Sequence, residues 1–247
     1  MHQFFINQNH IKDSDIQITG EDVNHIKNVL RLKAGEKISL VSDDSNREYI
    51  CEIISVTETS IHTHIVDIVG VTRELPVKIT LYQSLPKGDK MELIIQKCVE
   101  LGVSKIVPVQ TARTIVKWNE KKAQDKVRRY QAISLSAAKQ AKRSILPEIS
   151  NIFTYEEALQ DAVHLDMNLI PYEQAKGMAD TKAILEQVKT KGSVGIFIGP
   201  EGGFEEKEIK SAKKAGIYPI TLGHRILRTE TAGMAMLSIL MFMLEED

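Results

Sequence analysis

Two short apolar runs in the last quarter of the sequence each lead directly into a loop of glycine and charged residues. The first run, 194–198, has no polar side chain and is followed by Gly-Pro-Glu-Gly-Gly-Phe at 199–204. The second run, 217–222, leads into Gly-His-Arg-Ile-Leu-Arg-Thr-Glu-Thr-Ala at 223–232. Both runs predict buried strands of a parallel sheet. Loops at the carboxyl ends of adjacent strands in such sheets are where ligands bind.

The first loop is unusual in its mixture of glycine and acid. Its glycines leave backbone N–H groups uncovered, so a ligand can approach the main chain closely. Glu201 stands between a proline and two glycines, a poor place for a merely solvated carboxylate. An ordinary strand-to-helix turn is the competing interpretation. Neither loop carries a dinucleotide fingerprint or a Walker motif, so any cofactor belongs to another class.

Together the two loops resemble the paired signature of the ribosomal small-subunit uridine-N3 methyltransferases. The matching segments are Ile-Gly-Pro-Glu-Gly-Gly-Phe at 198–204 and Leu-Gly-His-Arg-Ile-Leu-Arg-Thr-Glu-Thr-Ala at 222–232. That family belongs to the SPOUT superfamily of knotted enzymes that use S-adenosylmethionine. The resemblance implies methylation of N3 of a specific uridine in 16S ribosomal RNA of the small ribosomal subunit, with S-adenosyl-L-methionine as cofactor and without a metal.

The resemblance also implies a set of cofactor-binding residues from three segments. These are Leu169, Ile170, Pro171, Glu173, Ile198, Gly199, Pro200, Glu201, Gly202, Gly203, Leu222, Gly223, Ile226, Leu227 and Arg228. Methylation at N3 requires loss of the N3 proton, which needs a general base or cations that stabilise the anion forming on O2 and O4. Arg228 and Arg225 are expected to supply the cations, and Glu230 or Glu201 the base. Structural roles compete with these: Thr229 as a helix N-cap and Glu230 as a favourable first-turn charge.

The pattern of apolar residues changes near residue 72. Residues 1–72 contain segments rich in β-branched residues separated by polar turns, which predicts a small β domain. The resemblance makes this a PUA-like RNA-binding β-barrel domain. Residues 73–247 alternate strand and helix patterns, which predicts an α/β domain with a mostly parallel sheet and helices on both faces. The resemblance implies that this is the SPOUT methyltransferase domain, with a C-terminal trefoil knot.

A strongly basic stretch lies at 113–143. It holds ten Lys or Arg residues against two acids, with Trp118 and Tyr130 interleaved. Such an excess of positive charge usually has an anionic partner, and the rings offer surfaces on which an unstacked base can lie. The family motif Glu-Gln-x-x-Arg-x-x-x-Pro is matched at 140–147, although Lys139 replaces its glutamate. The residues expected to contact RNA are Arg31, Arg113, Lys117, Trp118, Arg128, Arg129, Gln140 and Arg143.

Composition sets the broad class of protein. Hydrophobic residues make up 43% and charged residues 26%, with 32 basic against 33 acidic side chains, so overall charge does not indicate nucleic acid. The most apolar run, 232–244, is too short to span a bilayer, and we expect a cytoplasmic protein with no membrane partner. This run is apolar on nearly all sides and must be covered by a core or a second subunit. A homodimer would cover this helix, and the resemblance implies the same oligomer. The resemblance also implies that the substrate is small-subunit ribosomal RNA within an assembled subunit.

Three other functions stay open at this stage. Ribose 2′-O-methyltransferases of the same superfamily typically carry Asn-x-Gly-x-x-x-Arg and a final loop rich in Ser and Asn, whereas this chain has Glu-Leu-Gly-Val at 100–103 and Leu-Arg-Thr-Glu at 227–230. A catalytically inactive RNA-binding ribosome assembly factor would not need both loops intact. A nucleotide-binding module unrelated to RNA does not explain the basic stretch.

Overall fold

A computed structural model describes residues 1–42, 47–70, 73–116, 118–175 and 177–245. The chain divides into two compact units. The N-terminal unit comprises Met1–Glu74 together with Ala138–Leu146, and the C-terminal unit comprises Leu75–Ala137 together with Pro147–Asp247. A short segment from the middle of the chain therefore belongs to the N-terminal unit.

The N-terminal unit is built on one sheet. Its described strands are β1 (Gln3–Ile6), β2 (Ile11–Lys12), β3 (Asp15–Thr19), β4 (Lys37–Ser42), β5 (Arg47–Val56) and β6 (Ser60–Gly70). Its helical segments are a 3-10 turn (Gln8–His10), α1 (Glu21–Asn24) and a π-helical turn (His25–Val29). The sheet order is β1-β4-β5-β6-β3-β2, in which β1 and β4 are parallel and the other neighbours are antiparallel. This arrangement confirms the predicted N-terminal β domain.

Alternation of side chains explains the core of this unit. In β3, Ile16 and Ile18 are buried while the residues on either side of them are exposed, as expected for a strand with one face on a core. Ile38 and Leu40 from β4 and Ile53 from β5 are fully buried in the same cluster. The apolar face of the sheet therefore holds the unit together.

The segment 138–146 is fixed to the rest of the N-terminal unit by ion pairs. The Arg143 side chain is 4% exposed, and its Nε lies 3.0 and 2.8 Å from the two carboxylate oxygens of Glu74. Gln3 Nε2 donates to the Arg143 carbonyl at 2.7 Å, and Lys139 Nζ lies 2.6 Å from Asp22 Oδ1. Burial of its guanidinium against Glu74 gives Arg143 a structural role, in place of the RNA contact expected from the sequence. Lys139, which replaces the family's glutamate, is likewise held by an acid of this unit.

The C-terminal unit is a parallel α/β structure. Its described strands are β7 (Lys78–Ser84), β8 (Lys105–Gln110), β9 (Glu148–Ile149), β10 (Phe153–Thr154), β11 (Met167–Pro171), β12 (Ser193–Ile198) and β13 (Tyr218–Ile220). Its helices are α2 (Lys90–Glu100), α3 (Glu120–Gln140, whose last turn counts with the N-terminal unit), α4 (Tyr155–Ala162), α5 (Met178–Glu186), a 3-10 turn (Gln187–Thr190), α6 (Glu206–Lys214) and α7 (Thr229–Leu244). This confirms the predicted α/β fold with a parallel sheet.

The order of the strands brings three loops together. The sheet runs β10-β8-β7-β12-β11-β13, with β9 beside β8, and every pair is parallel. Because β11 lies between β12 and β13, the loops that follow these three strands leave from the same edge of the sheet. The trefoil knot implied by the resemblance stays a prediction.

Helix α7 is only partly buried within the single chain. Met236, Leu237 and Leu240 are fully buried, but Phe242 is 85% exposed. The single chain therefore covers only part of the helix, and the second subunit that would cover the rest stays a prediction. Within the described ranges, no helix is both long enough and apolar enough to cross a membrane.

Gly195 in β12 provides a test of how tightly the sheet is packed. A Cβ atom there would lie 2.1 Å from Asn168 Oδ1 and 3.1 Å from the Tyr82 ring. Asn168 Nδ2 donates to the Ala162 carbonyl at 2.7 Å, so its side chain cannot move without losing that bond. We expect Gly195→Ala to lower the free energy of unfolding by about 1–3 kcal/mol, measured by urea denaturation.

Gly70→Ala is the matched control for this substitution. A Cβ atom at Gly70 meets no described atom within 4 Å. Its free energy of unfolding should change by less than about 0.5 kcal/mol. Equal effects of the two substitutions would show that overpacking is not the cause.

Candidate functional site

A cavity of about 610 Å³ opens where β11, β12 and β13 end. Its walls are the loops after these strands, together with the start of α7. Most of the predicted cofactor residues line it, namely Pro171, Glu173, Ile198, Gly199, Pro200, Glu201, Gly202, Gly203, Leu222, Gly223, Ile226, Leu227 and Arg228. Arg225 lines it as well. The two glycine-rich loops singled out in the sequence thus meet at one site.

Two predicted cofactor residues lie elsewhere. Leu169 and Ile170 are fully buried inside β11 and do not line the cavity. Their side chains belong to the sheet core, since the strand reaches the cavity only at its last residue, Pro171. Their side chains do not face the cavity, and their predicted part in cofactor binding stays a prediction.

Several lining residues were not predicted from the sequence as cofactor ligands. They are Lys90, Tyr172, Phe204, Thr221, Thr229 and Ala232. The position of Lys90 near the cavity could have been predicted from the sequence. Lys90 comes shortly after strand β7, and β7 pairs with β12 from Lys78 to Gln83. The rule that loops after neighbouring parallel strands converge would have placed the segment 85–90 at the same edge.

The first glycine-rich loop is packed tightly around its own backbone. A Cβ atom at Gly199 would lie 3.2 Å from the Phe204 ring, and Gly203 has a φ of +67°, which disfavours other residues. Gly203 N–H donates to the Pro200 carbonyl at 2.9 Å and closes the turn. Arg113, which lies outside the loop in the segment after β8, donates from Nη1 to the Gly202 carbonyl at 2.6 Å. The loop therefore presents main-chain atoms, with little side-chain bulk, to the cavity.

Two consecutive buried hydrogen bonds fix the start of α7 against this loop. Gln83, at the end of β7, is fully buried and donates from Nε2 to Thr229 Oγ1 at 2.9 Å. Thr229 Oγ1 in turn donates to the Gly199 carbonyl at 2.6 Å. Arg228, not Thr229, occupies the N-cap position, so the capping role considered for Thr229 is wrong. The Thr229 hydroxyl instead links the two loops that form the cavity.

Three charged side chains meet at one wall of the cavity. Lys90 Nζ lies 3.1 Å from Glu201 Oε1 and 3.4 Å from Glu230 Oε2, and the Lys87 N–H also donates to Glu201 Oε1 at 3.1 Å. Burial raises the pKa of Glu201, but hydrogen bonds from backbone N–H groups and from Lys90 outweigh it and lower the pKa overall. The hydrogen bond to Glu201 raises the pKa of Lys90. Glu201 is therefore an ionised carboxylate and a weak proton acceptor.

The other predicted catalytic residues are arginines. Arg225 and Arg228 both line the cavity and are exposed to solvent. Neither has to leave a buried position in order to contact a ligand. Within the described chain, no group of three or more His, Cys, Asp or Glu side chains is arranged to hold a metal ion.

The basic stretch 113–143 is only partly available to RNA. Arg129 Nη2 lies 2.7 Å from Glu92 and Arg128 Nη1 lies 3.7 Å from Asp125, so the fold itself supplies acids for these cations. Tyr130 is 2% exposed and cannot stack on a base, which corrects the role expected for its ring. Exposed members of the predicted RNA-binding set are Arg31, Arg113, Arg128, Arg129 and Gln140, with Trp118 half-buried. Lys117 lies outside the described residues.

Two family models that match the two units define the class of protein as an RNA methyltransferase. A model of the RNA methyltransferase domain matches residues 73–241, and a model of the RNA methyltransferase PUA domain matches residues 18–66. Both matches agree with the α/β and β units seen here.

Comparison with individual proteins gives the family. The Bacillus subtilis protein named ribosomal RNA small subunit methyltransferase E is 36% identical, covering 92% of this chain and 90% of its own length. The Neisseria gonorrhoeae structure of that name, bound to S-adenosyl methionine, is 31% identical, covers 98% of each chain and has a TM-score of 0.84. A Legionella pneumophila protein in complex with the same cofactor is 31% identical, covers 98% of this chain and 97% of its own, and has a TM-score of 0.85. The chain belongs to the ribosomal RNA small subunit methyltransferase E family.

Proposed function

We propose that this chain transfers a methyl group from S-adenosylmethionine to N3 of a uridine in 16S ribosomal RNA of the small ribosomal subunit. The observation that carries the proposal is the meeting of the two signature loops at one cavity. When bound, S-adenosylmethionine supplies the electrophilic methyl group. The same proposal includes an assembled small subunit as substrate, a homodimer and a cytoplasmic location.

The residues of the cavity fit this cofactor. A bent S-adenosylmethionine needs main-chain donors and acceptors close to it, and Gly199, Gly202 and Gly203 leave the backbone uncovered. The loop 222–228 and the end of β11 supply the facing walls. We assign cofactor binding to these segments and the selection of RNA to the PUA-like unit and the exposed basic residues.

Proton removal from N3 is assigned to charged residues of the same cavity. Arg228 and Arg225 are placed to stabilise negative charge that develops on O2 and O4 of the base. The candidate proton acceptors are Glu230 and Glu201, and Glu230 Oε2 lies 3.4 Å from Lys90 Nζ. Glu201 already accepts hydrogen bonds from the Lys87 N–H and from Lys90.

Mass-spectrometric nucleoside analysis tests the proposed reaction. Small-subunit ribosomal RNA from cells lacking this gene is compared before and after addition of purified protein with S-adenosylmethionine, with protein alone as control. We expect N3-methyluridine to be missing from the mutant RNA and to return only with both additions. Loss of a ribose-methylated nucleoside instead would favour 2′-O methylation, and an unchanged profile would favour an assembly factor without catalysis.

A further inference from the structure

The cluster formed by Lys90, Glu201 and Glu230 has a net charge that bears on cofactor binding, apart from any transfer of the N3 proton. The three side chains come from the start of α2, the loop after β12 and the first turn of α7. One ammonium group lies between two carboxylates, so the cluster carries one net negative charge. Lys90 and Glu201 line the cavity directly, whereas Glu230 does not line it and contacts Lys90.

The net negative charge of the cluster is fixed by the ion pairs with Lys90, and solvent screens it only partly because the three side chains are partly buried. The side chains of Lys90, Glu201 and Glu230 are 32%, 29% and 17% exposed. Glu230 Oε2 is buried, has no hydrogen-bond donor among the described residues, and is 3.4 Å from the ammonium. Charges in such half-buried positions act over longer distances than exposed ones, because less water lies between them and the ligand.

The two states of the cofactor differ by one charge. S-adenosylmethionine carries a sulfonium cation, whereas S-adenosylhomocysteine, left after methyl transfer, has an uncharged thioether at the same atom. The rest of the two molecules is alike. A fixed charge on the cavity wall therefore changes the affinity for one of them far more than for the other.

We propose that the cluster of Lys90, Glu201 and Glu230 makes the cavity selective for the sulfonium cofactor over its thioether product, with Lys90 setting the strength of that selectivity. The inference rests on the proposed use of S-adenosylmethionine. Glu201 and Glu230 attract the sulfonium, and Lys90 limits the attraction by cancelling one of the two charges. After transfer the attraction is lost, which favours release of the product.

Other charged groups around the cavity are left unchanged by the test. Arg225, Arg228 and Glu173 also line it. Both arginines are exposed to solvent, so water screens their charges more strongly than those of the cluster. Substitutions within the cluster therefore report on the cluster itself.

A series of charge variants tests the proposal in the full chain without RNA. Isothermal titration calorimetry gives the Kd of S-adenosylmethionine and of S-adenosylhomocysteine, and the ratio of product Kd to cofactor Kd is the quantity compared. Lys90→Met raises the net negative charge of the cluster to two, Glu230→Gln removes it, and the double variant restores one. Lys97→Met is the matched control, since Lys97 is on the same helix, pairs with Glu100 at 2.9 Å and does not line the cavity.

The ratio should follow the charge of the cluster. We expect it to rise by about five- to ten-fold in Lys90→Met, to fall by a similar factor in Glu230→Gln, and to return to the wild-type value in the double variant. Lys97→Met should leave it unchanged. Shifts in the same direction for the two single variants, or no shift in either, would overturn the proposal.

The outcomes separate this inference from the proposed function. A wild-type protein that binds neither compound would contradict both. Binding of both compounds with a ratio that ignores the charge series would contradict the inference alone. A ratio that follows the series in a protein that forms no N3-methyluridine would support the inference and contradict the proposed reaction.

Discussion

Arg228→Ala is expected to slow methyl transfer by at least about 100-fold while the Kd of S-adenosylmethionine changes by less than about three-fold. Arg228 is the exposed N-cap residue of α7 and lines the cavity. A cation there stabilises the charge that forms on the uracil oxygens only as the N3 proton leaves, so its loss affects the reaction more than binding. Single-turnover kinetics on small-subunit RNA and calorimetry with the cofactor measure the two quantities.

Two further variants show whether charge at this position is the cause. Arg228→Lys keeps the charge and should recover part of the lost rate. Lys210→Ala removes an exposed cation of the same unit, which is paired with Glu206 at 3.9 Å, and should change neither quantity. Equal loss of transfer and cofactor affinity in Arg228→Ala would make Arg228 a binding residue.

Arg143→Met should have the largest effect on stability, lowering the free energy of unfolding by about 3–5 kcal/mol. The substitution leaves Glu74 in a half-buried place where, among the described residues, the Ser144 and Ile145 N–H groups still donate to it at 2.7 and 3.3 Å. Removal of one partner of a buried ion pair is costly because the remaining charge stays desolvated. Urea denaturation of the full chain, followed by circular dichroism, measures the change.

An exposed ion pair gives the matched control for Arg143→Met. Lys189 lies 3.0 Å from Glu186, and both side chains are largely exposed. Lys189→Met should change the free energy of unfolding by less than about 1 kcal/mol. If Arg143→Met weakened binding to ribosomal RNA and left stability unchanged, the structural role assigned to Arg143 would be wrong.

Local patterns predicted much of the C-terminal unit. The apolar stripe Met91, Ile94, Ile95 and Cys98 indicates a helix that ends at Gly102, and the structure has α2 with all four side chains buried and a φ of +94° at Gly102. The apolar run before the first glycine-rich loop is β12, which lies inside the sheet. These features depend on residues close together in sequence, so the sequence contains their signal.

Contacts between distant residues were not predictable in the same way. Lys90 and Glu201 are 111 residues apart, and although the strand pattern places both segments at one edge of the sheet, it does not show that these two side chains pair. The charge count of 113–143 indicated a free basic surface, but it could not show that Glu92 would face Arg129 or that Glu74 would bury Arg143. A charge along the sequence becomes available to a ligand only if the fold brings no acid to it.

The position of the transferred methyl group is the most direct test of the central claim. Purified protein is incubated with small-subunit ribosomal RNA from cells lacking this gene and with S-adenosylmethionine labelled with ¹³C in its methyl group, and the RNA is digested to nucleosides for mass spectrometry. The proposed function predicts that the label appears in N3-methyluridine. Label in a ribose methyl group, or no label in uridine at all, would contradict it.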